Sequence, residues 1–348
     1  MSSGNPFEDL KPILNSDKLV EVVFDKAMKA AGPGGSMSVS PVVLTRRTEA
    51  KRVQTCASQF RDRLNEIVFQ FPTIEELPDF YRELLDIIYG VDRLRKTLGS
   101  LTGTGRAIWK VNREHVSKIW HAKPLAAKQI RRAAFSRFAS MIHQLRSRLA
   151  ALEELRYSLR RLPIFDFDNP IIVVAGYPNV GKSSFVRSVT NARPEVASYP
   201  FTTKEVTLGH FQGSGPLQHL RCQVVDTPGL LDRSINERNE IELRALSALL
   251  TLPSMILYIF DPTQKVEWSS QIQLYKEIVG KVAIPVHVAV NKTDLFNEDE
   301  ARVIIDQLRG ELSSDNVDPL PLVAKDPPTA KVVIDDLFDR LIGNLAVR

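Results

Sequence analysis

Apolar residues return every three to four positions through the first half of the chain, the period of helices with one buried face. The stretch 17–31 (DKLVEVVFDKAMKAA) keeps that spacing and stops at GPGGS, a flexible break. A second helix is expected from about Val43 to Phe69, ahead of Pro72. Thr73 and Glu76 form a candidate capping box, and Phe80, Leu84, Leu85 and Ile88 carry a helical stripe onward. GSLTGTG (99–105) reads as a loop. One long helix is expected from about Leu125 to Leu162, with Ile130, Ala134, Phe138, Ile142, Leu145, Leu149, Leu152 and Leu159 along its apolar face. Pro163 ends it, and the whole half reads as an α-helical bundle.

The period then changes. Short β-rich runs occupy 171–175 (IIVVA), 205–211, 220–225, 255–260 (MILYIF) and 285–290 (PVHVAV), with a weaker one at 319–323. Helical patterns at 182–190, 237–250, 268–280, 298–312 and 330–345 alternate with them. Such alternation predicts an α/β fold, a mostly parallel six-stranded sheet with helices on both faces. The boundary falls at FDFDNP (165–170), giving a helical domain over 1–165 and an α/β domain over 166–348.

Composition narrows the class. The chain has 348 residues, a length typical of two domains, and its 43% hydrophobic content is ordinary for a globular protein. No apolar run is long enough for a transmembrane helix and the start does not look like a signal peptide, so no membrane partner is expected. Two cysteines far apart, Cys56 and Cys222, suit a reducing cytoplasm. Charge is uneven: residues 1–165 hold 28 Lys+Arg against 17 Asp+Glu, whereas the rest hold 18 against 24. Within 93–161 there are 17 basic and 3 acidic residues, which suggests a polyanionic partner.

The chemistry starts at GYPNVGKSS (Gly176 to Ser184), which fits G-x-x-x-x-G-K-[ST] in the strand–loop–helix context that motif requires. The loop of Gly176, Pro178, Asn179, Val180 and Gly181 would wrap round phosphates at a helix N-terminus, with the backbone N–H groups of all but Pro178 turned inward. Lys182 would reach the β and γ phosphates, Ser183 would bind Mg²⁺, and Ser184 completes the cradle. NKTD (Asn291 to Asp294) follows a strand. An aspartate at position 294 can accept from guanine N1–H and the 2-amino group, a pattern adenine lacks, so GTP and GDP are favoured over ATP. Asn291 would brace the loop, and the Lys292 stem would cover the base. In VAK (323–325) the Ala324 N–H could meet guanine O6, with Lys325 beside it. In YPFTT (199–203) either threonine can complete the Mg²⁺ shell, Thr203 being favoured over Thr202. Asp226 of DTPG can hold a Mg²⁺-bound water, and Gly229 can donate to the γ phosphate. Two such loops ordered by GTP and released on hydrolysis would make a switch.

GYPNVGKSS, YPFTT, DTPGLLDR and NKTD, in this order, resemble the Obg-related branch of translation-factor GTPases. The stretch VVDTPGLLDRSINERNEIELRALSAL and the basic helical half are similar to the NOG-type nucleolar GTP-binding proteins. The resemblance implies a P-loop GTPase domain, a role in large ribosomal subunit assembly, and pre-ribosomal RNA and further assembly factors as partners. Two departures stand out. Val323 replaces the usual Ser or Thr, and Leu230 stands where many small GTPases carry a water-handling glutamine. Leu230 cannot orient water, but phosphoryl transfer is mostly positioning and electrostatics, so help can come from elsewhere. Asn179 has two readings that the sequence leaves open, a ligand for K⁺ near the phosphates and a loop amide that braces backbone.

The basic half interleaves cations with aromatics in AIWKVNREHVSKIW (107–120), where Trp109 and Trp120 fall on one helical face. Lys110, Arg113 and Lys118 there, with Arg131, Arg132, Arg137, Arg146 and Arg148 further on, are candidates for RNA phosphates. The leading expectation is a GTP-hydrolysing assembly factor that binds rRNA. The rivals are a GTPase coupled to RNA modification and a GTP-dependent binding protein with negligible turnover.

Overall fold

The computed structural model describes residues 4–30, 40–190, 195–199, 205–213, 221–227, 231–232, 239–264, 267–312 and 317–346. Thr202, Thr203, Gly229 and Leu230 lie outside them. Contacts group the chain into two compact units, one of Pro6–Leu77 with Ile88–Arg160, the other of Arg161–Arg348 with Pro78–Ile87. Among the described residues no helix is long and apolar enough to cross a membrane.

The first unit is helical: α1 (Ser16–Lys29), α2 (Pro41–Phe69), α4 (Val91–His121), α5 (Pro124–His143) and α6 (Arg146–Leu159). Asn15 caps α1 by accepting from the Lys18 N–H at 2.8 Å, and Ser40 with Pro41 starts α2. Leu19, Val23, Phe60, Leu64, Ile108, Phe138 and Leu152 are buried along the apolar stripes. The Phe24 ring lies 4.7 Å from Phe135 and 6.1 Å from Phe60. Three expectations are corrected here. GSLTGTG is not a loop but the middle of α4, because Leu101 is buried and the Gly105 backbone lies close against α2. A Cβ on Gly105 would sit 3.5 Å from Arg61 Cγ, so a small residue lets the helices approach. The long helix breaks at Gln144–Leu145, although Ile142, Leu145 and Leu149 keep apolar spacing across the break. Thr73 makes no side-chain cap bond, so the capping box does not form and Ile74–Glu76 is a 3₁₀ turn.

The second unit is a seven-stranded sheet in the order β2-β3-β4-β1-β5-β6-β7. The strands are β1 (Ile171–Ala175), β2 (Glu195–Ser198), β3 (Glu205–Gln212), β4 (Arg221–Asp226), β5 (Met255–Phe260), β6 (Val286–Val290) and β7 (Leu320–Pro321). β1 pairs in parallel with β4 and β5, and β6 continues the parallel run to β7, while β2 and β3 are antiparallel additions. The mostly parallel sheet is as expected, and β2 is the additional strand. Helices α7 (Lys182–Val189), α8 (Glu240–Leu250), α9 (Trp268–Val279), α10 (Glu298–Glu311) and α11 (Pro327–Ala346) complete the unit. All five residues of β1 and all six of β5 are buried, as strands covered on both faces require.

Helix α3 (Asp79–Ile88), which interrupts the helical sequence, groups mainly with this second unit. The Tyr81 hydroxyl donates to the Pro163 carbonyl at 2.9 Å, and burial pushes its pKa up to about 12. The Phe80 ring lies 5.1 Å from Phe165, and Arg244 of α8 pairs with Asp86 at 2.8 Å.

Candidate nucleotide site and basic surface

The order of strands places a topological switch beside β1, where ligands of open α/β sheets bind at carboxyl ends. Four carboxyl ends meet there. Register pairs Val174 with Asp226, Ala175 with Tyr258 and Phe260 with Val290, so the loops after β1, β4, β5 and β6 share one edge.

The loop after β1 is built from residues whose conformations are forced. Gly176 and Gly181 have φ of 138° and 107°, and Asn179 sits at 63°, a region where asparagine is better tolerated than most residues. Val180 is buried in the sheet core and anchors the loop, while Asn179 is exposed. The Lys182 ammonium donates to the carbonyls of Gly176 and Tyr177, each at 2.8 Å, which holds it across the loop. The Gly176 N–H donates to the Leu231 carbonyl at 3.1 Å, and Gln264 Nε2 donates to the Pro178 carbonyl at 3.3 Å.

The Ser183 hydroxyl donates to Asp226 Oδ2. Asp226 is fully buried, and among the described residues its other oxygen, Oδ1, has no hydrogen-bond partner. Burial raises its pKa, opposed by the Ser183 hydrogen bond and the Lys182 charge. A buried carboxylate oxygen without a donor, beside a hydroxyl at a phosphate loop, fits a hard divalent cation with oxygen ligands. Ser183 and Asp226 therefore suit Mg²⁺.

Asn291 clasps the site. Its Nδ2 donates to the Val180 carbonyl at 2.6 Å and its Oδ1 accepts from the Ala324 N–H at 2.8 Å. The Ala324 N–H, a candidate donor to guanine O6, is held here by the Asn291 side chain, which ties the last loop to the phosphate loop. Lys325 beside it is exposed. Thr293 fixes the following 3₁₀ turn (Thr293–Leu295) by donating its hydroxyl to the Leu322 carbonyl at 3.1 Å. Asp294 lies in this turn with its side chain exposed.

Sequence reasoning missed Asp261, which follows β5 directly. It is fully buried, its Oδ1 accepts from the Thr263 N–H at 2.9 Å, and its Oδ2 pairs with the Lys292 ammonium at 2.5 Å. Gln271 clamps its backbone, accepting from the Asp261 N–H at 2.9 Å and donating to its carbonyl at 3.1 Å. A carboxylate closing an apolar strand was the available signal, since Asp226 ends β4 the same way. Asp261 holds Lys292, whose backbone is left-handed with φ of 63°. Asp261→Asn keeps the shape but leaves Lys292 without its counter-charge. Because Lys292 is partly exposed, the expected cost is moderate: nucleotide release about tenfold faster, with base preference unchanged. Stopped-flow release of a fluorescent GDP tests this, and an unchanged rate would remove Asp261 from the site.

The basic candidates separate by environment. Lys110, Arg113, Lys118, Arg132 and Arg148 are exposed. Arg137 lies 3.9 Å from Glu114, and Arg146 pairs with Asp17 at 2.8 Å. Arg131 is different: its guanidinium is only 12% exposed and binds the buried Glu49, so it holds α5 to α2.

Two families match the chain. The NOG1 N-terminal helical domain family covers residues 7–166, and the 50S ribosome-binding GTPase family covers 171–292. An uncharacterized protein of Methanocaldococcus jannaschii is 35% identical over 86% of this chain and 84% of its own length. Nucleolar GTP-binding protein 1 of Encephalitozoon cuniculi is 31% identical over 97% of this chain and 65% of its own. The Saccharomyces cerevisiae protein of that name is 30% identical over 88% of this chain, which spans only 46% of that relative. The chain thus carries a NOG1 N-terminal helical domain followed by a P-loop GTPase domain, and it belongs to the NOG1 family of nucleolar GTP-binding proteins.

Proposed function

We propose that this protein is a GTP-hydrolysing switch of large ribosomal subunit biogenesis, which binds rRNA or the pre-ribosome through its basic helical unit and leaves after hydrolysis. The observation that carries the reading is the buried, partnerless Asp226 oxygen beside the Ser183 hydroxyl at the phosphate loop. It supports a site for a metal-bound triphosphate, and it sits at the strand end from which DTPG departs. The family description of residues 171–292 and the excess of exposed cations in the helical unit support the ribosomal partner. Two buried thiols, Cys56 and Cys222, suit a reducing cytoplasm.

In this reading Lys182 leaves its two carbonyl acceptors and pairs with the β and γ phosphates. Mg²⁺, held by Ser183 and through water by Asp226, would neutralise charge on the β and γ oxygens. Thr203 would add to that shell and Gly229 would donate its N–H to the γ phosphate, coupling both loops to hydrolysis. Asp294 selects guanine, Asn291 keeps the base loop on the phosphate loop, and Lys292 covers the base.

Leu230 leaves the attacking water without a side-chain amide at that position. Asn179, exposed at the loop apex, is the candidate ligand for a K⁺ that would replace an arginine finger. Turnover in K⁺ is expected to exceed that in Na⁺ several-fold; equal rates would leave Asn179 only a bracing role. Co-sedimentation with large ribosomal subunits tests the main reading. Association should differ between GTP, GDP and no nucleotide, and fall steeply with salt. Absence of association in all three states would overturn it.

A further inference from the structure

The helical unit carries a groove that none of this chemistry uses. The start of α2 meets the end of α4, where Arg46 Nε donates to the Ala122 carbonyl at 2.7 Å, and the two helices touch closely where Gly105 meets Arg61. Next to that contact lies a groove of about 750 Å³, lined by Lys51 and Gln54 of α2 and by Trp109, Asn112, Arg113 and Trp120 of α4 among others. Among the described residues no carboxylate lines it. Its two indoles differ. Trp109 is half-buried and held by the Arg61 guanidinium 4.5 Å over its ring, whereas Trp120 is 43% exposed.

Asn112 separates this groove from an ordinary helix–helix seam. The residue is only 3% exposed, and among the described residues its buried Oδ1 has no hydrogen-bond partner. A buried amide oxygen without a donor is destabilising, and an apolar residue would serve a simple seam better. Retaining an amide at the wall of an aromatic, cationic groove supplies what an unstacked nucleobase needs: a flat apolar surface, an acceptor for an amino group, and cations for the adjoining phosphates.

We infer that the α2–α4 groove binds one unpaired nucleobase of RNA, stacked on Trp120 and hydrogen-bonded to Asn112, with Lys51 and Arg113 on its backbone. The inference rests on the reading that the helical unit meets RNA, and it narrows that reading from a charged face to a defined pocket for single-stranded RNA.

The test uses the full chain and two labelled probes, an eight-residue oligoadenylate and a duplex RNA, in anisotropy titrations at several salt concentrations. Trp120→Ala removes an exposed ring. Asn112→Leu replaces the orphan amide with an apolar group of similar size, which the fold should tolerate. Thermal melts confirm folding of each. Both variants are expected to bind the oligoadenylate about tenfold more weakly or worse, with duplex affinity and the log–log salt slope unchanged. Oligoadenylate affinity unaltered in both folded variants, with a steep salt slope, would overturn the groove and leave the charged-face reading standing. That is also the result expected if a peptide is the occupant. If neither probe binds at low salt, the RNA reading fails and the groove with it.

Discussion

Asp294→Asn is expected to lower affinity for GTP and GDP by roughly a hundredfold or more and to transfer preference to xanthosine nucleotides. Among the described residues Asp294 has no ion-pair partner, because the neighbouring cation is taken: Lys292 turns into the left-handed region and pairs with buried Asp261. The carboxylate is therefore free to accept two hydrogen bonds from guanine. The turn that carries it is fixed from below by Thr293 on the Leu322 carbonyl and from the side by Asn291 on the Ala324 amide. Asparagine in the same place offers one acceptor and one donor. It opposes the guanine 2-amino group and suits xanthine, which has a carbonyl there. Competition titrations with GDP and xanthosine diphosphate measure the exchange. A variant that kept GDP affinity within about threefold would show that Asp294 does not read the base.

The parts of this fold that a sequence shows well are those whose signal is local and strong. The continuous apolar run IIVVA followed by a glycine loop and a helix could be little else than a buried parallel strand entering a phosphate loop. Long-range contact decided several of the misses. GSLTGTG has turn chemistry, yet burial of Leu101 and the close approach at Gly105 keep it helical. The break at Gln144–Leu145 is silent because apolar spacing passes through it unchanged. Helix α3 groups with the nucleotide-binding unit because Tyr81 finds Pro163, 82 residues away. β2 is a four-residue edge strand with a polar start, too short to carry a pattern. Asp261 was passed over because its partner, Lys292, lies on a different loop.

Gly181→Ala is expected to be the more damaging change, although it adds a single methyl. At φ of 107° any L side chain is strained, at roughly 1–3 kcal/mol. The added Cβ would fall 2.2 Å from Asn291 Nδ2 and 3.3 Å from Ala324 Cβ, so Asn291 must move. Moving it breaks the buried bond to the Val180 carbonyl and releases the Ala324 N–H, each at a cost of about 1–3 kcal/mol. The phosphate loop and the base loops then lose their shared anchor, and GDP affinity should fall at least roughly a hundredfold. Gly103→Ala is the control: its Cβ meets nothing within 4 Å on a helix, so nucleotide affinity should stay unchanged while stability rises by about 0.5–1 kcal/mol. Hydrogen exchange separates the proposed cause from general unfolding. In Gly181→Ala the Ala324 amide should exchange much faster, while amides of the central strand β1 keep their protection. Retained GDP affinity, or equal loss of protection across β1, would refute the clasp as the device that joins phosphate recognition to base recognition.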